Sequence, residues 1–232
     1  MAIALVANTA SQTNSSGTTT GSIDTTGANL LVLVLATYHP QTEAAVSDSK
    51  GNTWTGLTAK NDGTDRSRIF YVANPTVGTG HTFTCSQAGS YSAVAVSAWS
   101  GAATSSPFDV ENGNSSGVTV TSLSTGSVTP SEDGELLVCG GSWGSVGSMG
   151  NVTIDNGFSV LNQLNNVFAT SLGIAHGYLI QSSAAAVNPT ISWVNSSIAA
   201  VTIATFKAAL ATKSLPPYQH STRILQRKRM AL

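Results

Sequence analysis

Charge is the scarcest property of this 232-residue chain, with Asp, Glu, Lys and Arg together making up 9% of it. That excludes a coiled coil and a charged disordered chain, both of which need dense charge. Aromatic residues are few, at 6%, and there are two cysteines, Cys85 and Cys139, with no Cys-x-x-Cys pair and no His or Asp set at zinc spacing. Both cysteines are expected as small buried hydrophobes rather than as a disulfide. No apolar run approaches the roughly 18 residues of a membrane-spanning helix; Leu30 to Ala36, the longest, soon meets polar residues. The amino terminus has no basic residue before its short apolar run Ala2 to Ala7, and a Thr/Ser/Gly stretch follows, so no cleaved secretion signal is expected. What the chain does have is 41% hydrophobic residues in repeated Val, Ile and Leu runs, with 22 Gly and 7 Pro. One or two compact domains with a buried core follow from that.

The net charge of −1 conceals an asymmetry. Residues 1–206 hold four basic side chains against all eleven acidic ones, a formal −7, whereas from Lys207 onward there are six basic residues and no acid, a formal +6. Pro216 and Pro217 forbid helix in this tail and favour extended polyproline geometry. Its charges alternate with Leu215, Tyr218, Ile224, Leu225, Met230 and Leu232, apolar residues that binding phosphate does not require. The expected role is an arm over residues 209–232 that docks on a protein neighbour through Leu215, Pro216, Pro217, Tyr218, Arg223, Ile224, Leu225, Arg227, Lys228 and Arg229. In that role the apolar residues anchor and the charges steer. Nucleic acid is not the expected partner, and no membrane contact is expected.

Short β-branched segments bounded by Gly, Asn, Asp and Pro recur along the chain at a spacing of roughly 10 to 15 residues. They are Leu30 to Tyr38, Ala44 to Ser47, Thr53 to Leu57, Arg68 to Ala73, His81 to Cys85, Ala93 to Trp99, Val118 to Leu123, Glu135 to Gly140, Val152 to Ile154, Phe158 to Leu161, Ser171 to Ile180, Thr190 to Trp193 and Ala199 to Phe206. No amphipathic helix interrupts them. The class is therefore all-β, a β-sandwich or jelly roll, with turn signals at Lys50-Gly51-Asn52, Asn61-Asp62-Gly63 and Asn156-Gly157. The chain also resembles itself. Asn29 to Tyr38 aligns with Glu135 to Trp143, and Ser92 to Ser100 with Ile198 to Lys207, at an offset of about 106. The expected organisation is an N-terminal strand and polar linker over 1–21 and a sandwich over 22–208 made of two similar halves, about 22–105 and 118–208, with the extended C-terminal arm after it. The halves pack either into one barrel-like sandwich or as two abutting ones.

Motifs for chemistry are sparse. His39, His81, His176 and His220 lie far apart in sequence and no Gly-x-Ser-x-Gly elbow joins a strand to a helix, so the histidines read as structural. Glu132, Asp133 and Glu135 read as ordinary turn acids, not as a glycosidase pair. Asp48 to Asn52 and Asn61 to Asp65 offer oxygens at loop spacing but do not complete a calcium-loop pattern, and turn formation is the better reading. Most of the Trp and Tyr residues sit within apolar alternation and are expected in the core. Trp143, inside the Gly/Ser-rich stretch Gly140 to Gly150, is the one expected to stand exposed as a possible ligand-binding ring. No metal, cofactor or catalytic residue is expected.

Taken in order, Asn29 to Val34, Val46 to Trp54, Ile69 to Asn74, Tyr91 to Gly101 and Pro107 to Val110 resemble a β-sandwich domain found in tailed-phage virion proteins and in some bacterial surface proteins, over about residues 22–208. The resemblance brings no catalytic residues with it. It implies a non-enzymatic virion structural protein made in the host cytoplasm, a capsid decoration or cement protein that binds the major capsid protein or neighbouring copies, as a homo-oligomer. The missing secretion signal favours the virion members over the secreted ones. The alternative is a carbohydrate-binding or receptor-binding accessory of a phage tail or cell surface.

Overall fold

The computed structural model describes residues 2–15, 17–38, 44–86, 91–144, 148–165 and 172–210. All regular structure among them is β. The first half contributes β1 (Ala4–Thr13), β2 (Thr18–Thr19), β3 (Leu30–Tyr38), β4 (Ala45–Asp48), β5 (Thr55–Gly56), β6 (Lys60–Asn61), β7 (Asp65–Ala73), β8 (Phe83–Ser86) and β9 (Tyr91–Ser100). The second contributes β10 (Phe108–Ser115), β11 (Val120–Ser124), β12 (Leu136–Gly144), β13 (Thr153–Ile154), β14 (Ser159–Leu164), β15 (Leu172–Ile180) and β16 (Thr190–Phe206). Every pairing is antiparallel, and the first main sheet runs β1-β9-β3-β7-β5, with β2-β8-β4 as a small sheet beside it. Outermost strands pair with outermost (β1 with β9), the next inward with each other (β2 with β8), and the next again (β3 with β7), the wrapping of a long hairpin rolled into a jelly roll.

The second half repeats this order as β10-β16-β12-β15-β14. Here one strand, β16, does the work that β8 and β9 share in the first half. Its Thr190–Ser197 portion pairs with β11 and β13, and its Ile198–Phe206 portion with β10 and β12. Sequence reading divides β16 in two, Thr190 to Trp193 and Ala199 to Phe206. In the structure the strand continues through Val194, Asn195 and Ser196, all exposed, as it passes from one layer to the other. The register matches as well. Leu30 pairs with Ala73 and Trp99, and Leu136, 106 residues later, pairs with Ile180 and Phe206. The arrangement is two abutting sandwiches, one of the two packings the repeat allows.

Three cores result, and they explain the composition of the central strands. One face of β3 (Leu31, Leu33, Leu35) packs with Val94, Val96, Phe83 and Cys85 toward the first small sheet. Its other face (Leu30, Val32, Val34) packs against Leu136, Val138, Ile174 and Phe206 of the second main sheet. The far face of that sheet (Leu137, Cys139, Val201, Ile203) forms the third core with Trp143, Met149 and Trp193. A strand buried on both faces has no polar side to alternate, so Leu30 to Ala36 is apolar without interruption and Leu30 to Val34 have no exposed surface. Each such Val or Leu contributes about 1.5 to 3 kcal/mol relative to leaving it in water.

The two main sheets also cover each other's edges. Asn162 Nδ2 of β14 donates to Asn8 Oδ1 of β1 at 2.9 Å, and at the opposite margin the Thr58 amide and hydroxyl reach the Glu111 carboxylate of β10 at 2.9 and 2.8 Å. Both cysteines are buried and free, as expected, and burial pushes the Cys85 thiol up to about 12. Asn156 and Gly157 take positive φ angles of 56° and 81°, as their turn signal implies. Among the described residues, no helix is long and apolar enough to cross a membrane.

Candidate functional site

The residues expected to dock the arm, Leu215, Pro216, Pro217, Tyr218, Arg223, Ile224, Leu225, Arg227, Lys228 and Arg229, lie outside the described residues, as do His39 and His220. The exposed Trp143 expected from its Gly/Ser-rich surroundings is corrected. Gly140 to Gly144 is the second half of β12, and Trp143 is 1% exposed, edge-on to Trp193 at 5.2 Å between ring centres. The neighbouring glycines reflect close approach rather than a loop: a β-carbon on Gly141 would collide with the Trp143 ring, and one on Gly140 with Val34 of the facing sheet. No aromatic residue among those described is in the exposed class.

Folding does assemble one constellation with a catalytic outline. In the first half, His81 Nε2 lies 3.3 Å from Asp48 Oδ1, and His81 Nδ1 lies 2.9 Å from Thr25 Oγ1. These are the partners of an acid, base and nucleophile set, but their side chains are sealed. His81 and Thr25 are 0% exposed, the ring stacks on Phe83 at 4.3 Å, and the Thr25 hydroxyl donates to the Gly78 carbonyl at 3.2 Å. Burial holds His81 below the ordinary imidazole value, against the pull of Asp48. Asp48 stays low despite its own burial, because the Lys50 and Asn52 amides donate to Oδ1 and the Trp54 indole to Oδ2, at 2.8, 3.3 and 2.8 Å. Asp48 Oδ1 is thus spent on the turn, as the sequence implies, while Asn52 Oδ1 accepts from the Thr76 amide at 2.7 Å and Ser49 Oγ from the Thr82 amide at 3.0 Å. Asn61 and Asp62 are used the same way, accepting from the amides of Gly63, Thr64 and Asp65.

Two further polar groups are buried between the main sheets. His176 Nε2 meets Ser97 Oγ at 3.3 Å, the Trp99 indole donates to the same oxygen at 2.7 Å, and burial lowers the imidazole to about 4. Asp65, 0% exposed, has only the Gly144 amide among the described residues to support its carboxylate; burial first, then the nearby Asp62 charge, raise it to about 8 against the pull of that amide. No group of three His, Cys, Asp or Glu among the described residues is placed to hold a metal ion.

One surface feature is at the end of the molecule that holds Leu210. A groove of about 460 Å³ is formed by Ile3, Ile180, Ala208 and Leu210, with Glu132 and Asp133 at its edge and no basic residue in its lining. Ile180 and Leu210 are two of the six large hydrophobic residues left exposed among those described, at 37% and 85%. The walls are tied down. The Gly134 amide donates to Gln181 O at 2.9 Å, the Gln181 amide to Glu135 O at 2.9 Å, the Ala184 amide to Asp133 Oδ1 at 2.7 Å, and the Ala209 amide to Gly101 O at 2.8 Å.

Beneath the rim, Ser131 gives its amide and hydroxyl to Asp109 at 2.7 and 2.9 Å, and Lys207 Nζ lies 3.4 Å from the same carboxylate. Burial opposes the Asp109 charge, but these partners outweigh it and keep the carboxyl low. Glu135, buried beside it, is raised by burial and by the Asp109 charge. Sequence reading placed Glu132, Asp133 and Glu135 together as a turn but did not pair Asp109 with Lys207, which are 98 positions apart and joined only because β10 lies beside β16. Comparison with protein-family models, with curated proteins and with solved structures returned no match.

Proposed function

We propose that this chain is a non-enzymatic virion structural protein, a capsid decoration or cement protein that binds the shell or neighbouring copies through its basic C-terminal arm. The observation that carries the reading is the division of charge, a formal −7 over residues 1–206 beside +6 from Lys207 onward, with the arm leaving from an acidic-edged apolar groove. An acidic body and a basic arm suit copies that hold one another, since complementary charge steers encounter while apolar anchors supply the grip. The jelly-roll architecture agrees by fold-level analogy, being recurrent in viral capsid and lectin domains. Sealing of Thr25, His81, Asp48 and His176 supports a binding role over a catalytic one. The carbohydrate-binding alternative loses the residue it rested on, because Trp143 is in the core.

Quantitative mass spectrometry of density-purified virus particles tests this. The expected result is a copy number on the scale of the major capsid protein. A few copies per particle would move the protein to a tail or vertex, and complete absence from particles would overturn the virion reading.

A further inference from the structure

We propose that the groove bounded by Ile3, Ile180, Ala208 and Leu210, with Glu132 and Asp133 on its edge, is the seat for the C-terminal segment Arg223–Arg229 of a second copy of this chain. The inference rests on the arm-docking reading above and names the surface that receives the arm. Three observations carry it. The groove is chemically the complement of the segment: apolar walls with two exposed acids and no base, against Ile224 and Leu225 flanked by Arg223, Arg227, Lys228 and Arg229. Its walls are held by main-chain hydrogen bonds from the 131–135, 180–184 and 207–209 segments, so an incoming strand meets a preformed surface. Lastly, the chain itself leaves from this place, because Leu210 is both a wall of the groove and the last described residue.

Length decides between the chain's own groove and a neighbour's. Arg223 lies 13 residues beyond Leu210, a span of about 40 Å when extended. A body of this size has a radius of gyration of about 17 Å, so a link of that length is long enough to reach the groove of an adjacent copy. Pro216 and Pro217 disfavour the fold-back that return to the same groove would require. Copies related head to tail therefore each give one arm and receive one, an arrangement that closes into a ring or continues along a surface.

The test is sedimentation velocity of the full-length chain over a concentration series. The groove variant is E132K/S182K, two exposed positions that leave Asp133 and its hydrogen bond to Ala184 intact; the arm variant is R227E/K228E/R229E. The wild type is expected to self-associate, and each variant alone to weaken association by about tenfold or more, with the effect shrinking at high salt. Equimolar mixing of the two variants is expected to restore association, because each then offers what the other accepts; unchanged thermal melting shows that both are folded. A wild type that stays monomeric throughout, variants that associate like the wild type, or a mixture that stays apart would each overturn the proposal. Failure here is separable from failure of the virion reading: groove-dependent self-association by a chain absent from particles sinks only that reading, and abundant particle copies with charge-insensitive association sink only this inference.

Discussion

The two halves share strand order and register, yet they fill equivalent positions with different chemistry. In the bridge that closes each small sheet, Ile23 pairs with His81 in the first half and Val128 with Val187 in the second. The first half therefore buries a Thr25–His81–Asp48 network where the second places the apolar Val128 and Val187 in its core. At the far end of the main sheets, Tyr38, Asp65 and Tyr91 of the first half correspond to Gly144, Leu172 and Ile198 of the second. At the centre, Val34 touches its own counterpart Gly140, so one large and one absent side chain share the space between the sheets. Backbone wrapping is thus held by the pattern of pairing and burial, and it tolerates either a polar or an apolar filling at equivalent positions.

The strongest way to break the comparison is to empty the second half's core. Trp143→Ala should lower stability by about 3 to 5 kcal/mol in urea unfolding, because the ring is 1% exposed and packed on Trp193. An effect near zero would mean that the ring is not buried after all. Next comes the Val34 and Gly140 contact. Gly140→Val should cost about 1 to 3 kcal/mol by overpacking the sheet interface, and the swap V34G/G140V should recover a substantial part of that loss. A double variant no better than the sum of its single changes would show that the two positions do not share one space.

A smaller change makes the first half resemble the second. His81→Val copies Val187 but removes the ring that lies between Asp48 and Thr25, and because both keep their other partners only about 0.5 to 1.5 kcal/mol of stability should be lost with those two contacts. No loss would show that the network is incidental to the fold. The last test is one of pH. Asp65, raised to about 8 in the fold, ionises near pH 4 when unfolded, so the unfolded chain releases the proton first and stability falls as pH rises from about 4 to about 8. Asp65→Asn should remove that part of the slope, read as the difference in melting temperature between variant and wild type across the series. Parallel curves for the two proteins would place the Asp65 carboxyl in contact with solvent.

Strand chemistry made much of this fold legible. Leu30 to Tyr38 is identical in both readings, and the offset of about 106 corresponds to two equivalent sheets. What escaped follows from the same physics. β10, Phe-Asp-Val-Glu-Asn-Gly-Asn-Ser, has only intermediate or exposed positions and shows no alternation, because it is an outer strand held by pairing to β16. Trp143 was assigned to the surface because Gly140, Gly141 and Gly144 look like loop residues; the alternative signal was that the same glycines continue an apolar strand aligned with Val34 and Tyr38. The groove was illegible because its walls come from four separated segments, around Ile3, Glu132, Ile180 and Ala208, that only the tertiary fold brings to one end.

One long strand sets the timetable of biogenesis. The first half has all nine of its strands by Ser100 and can close while the rest is still being translated. In the second half β10, β11, β12 and β13 all take partners from β16, which ends at Phe206. Those pairings must therefore wait, with the closed first half as the nearest apolar surface, until β16 has left the ribosome.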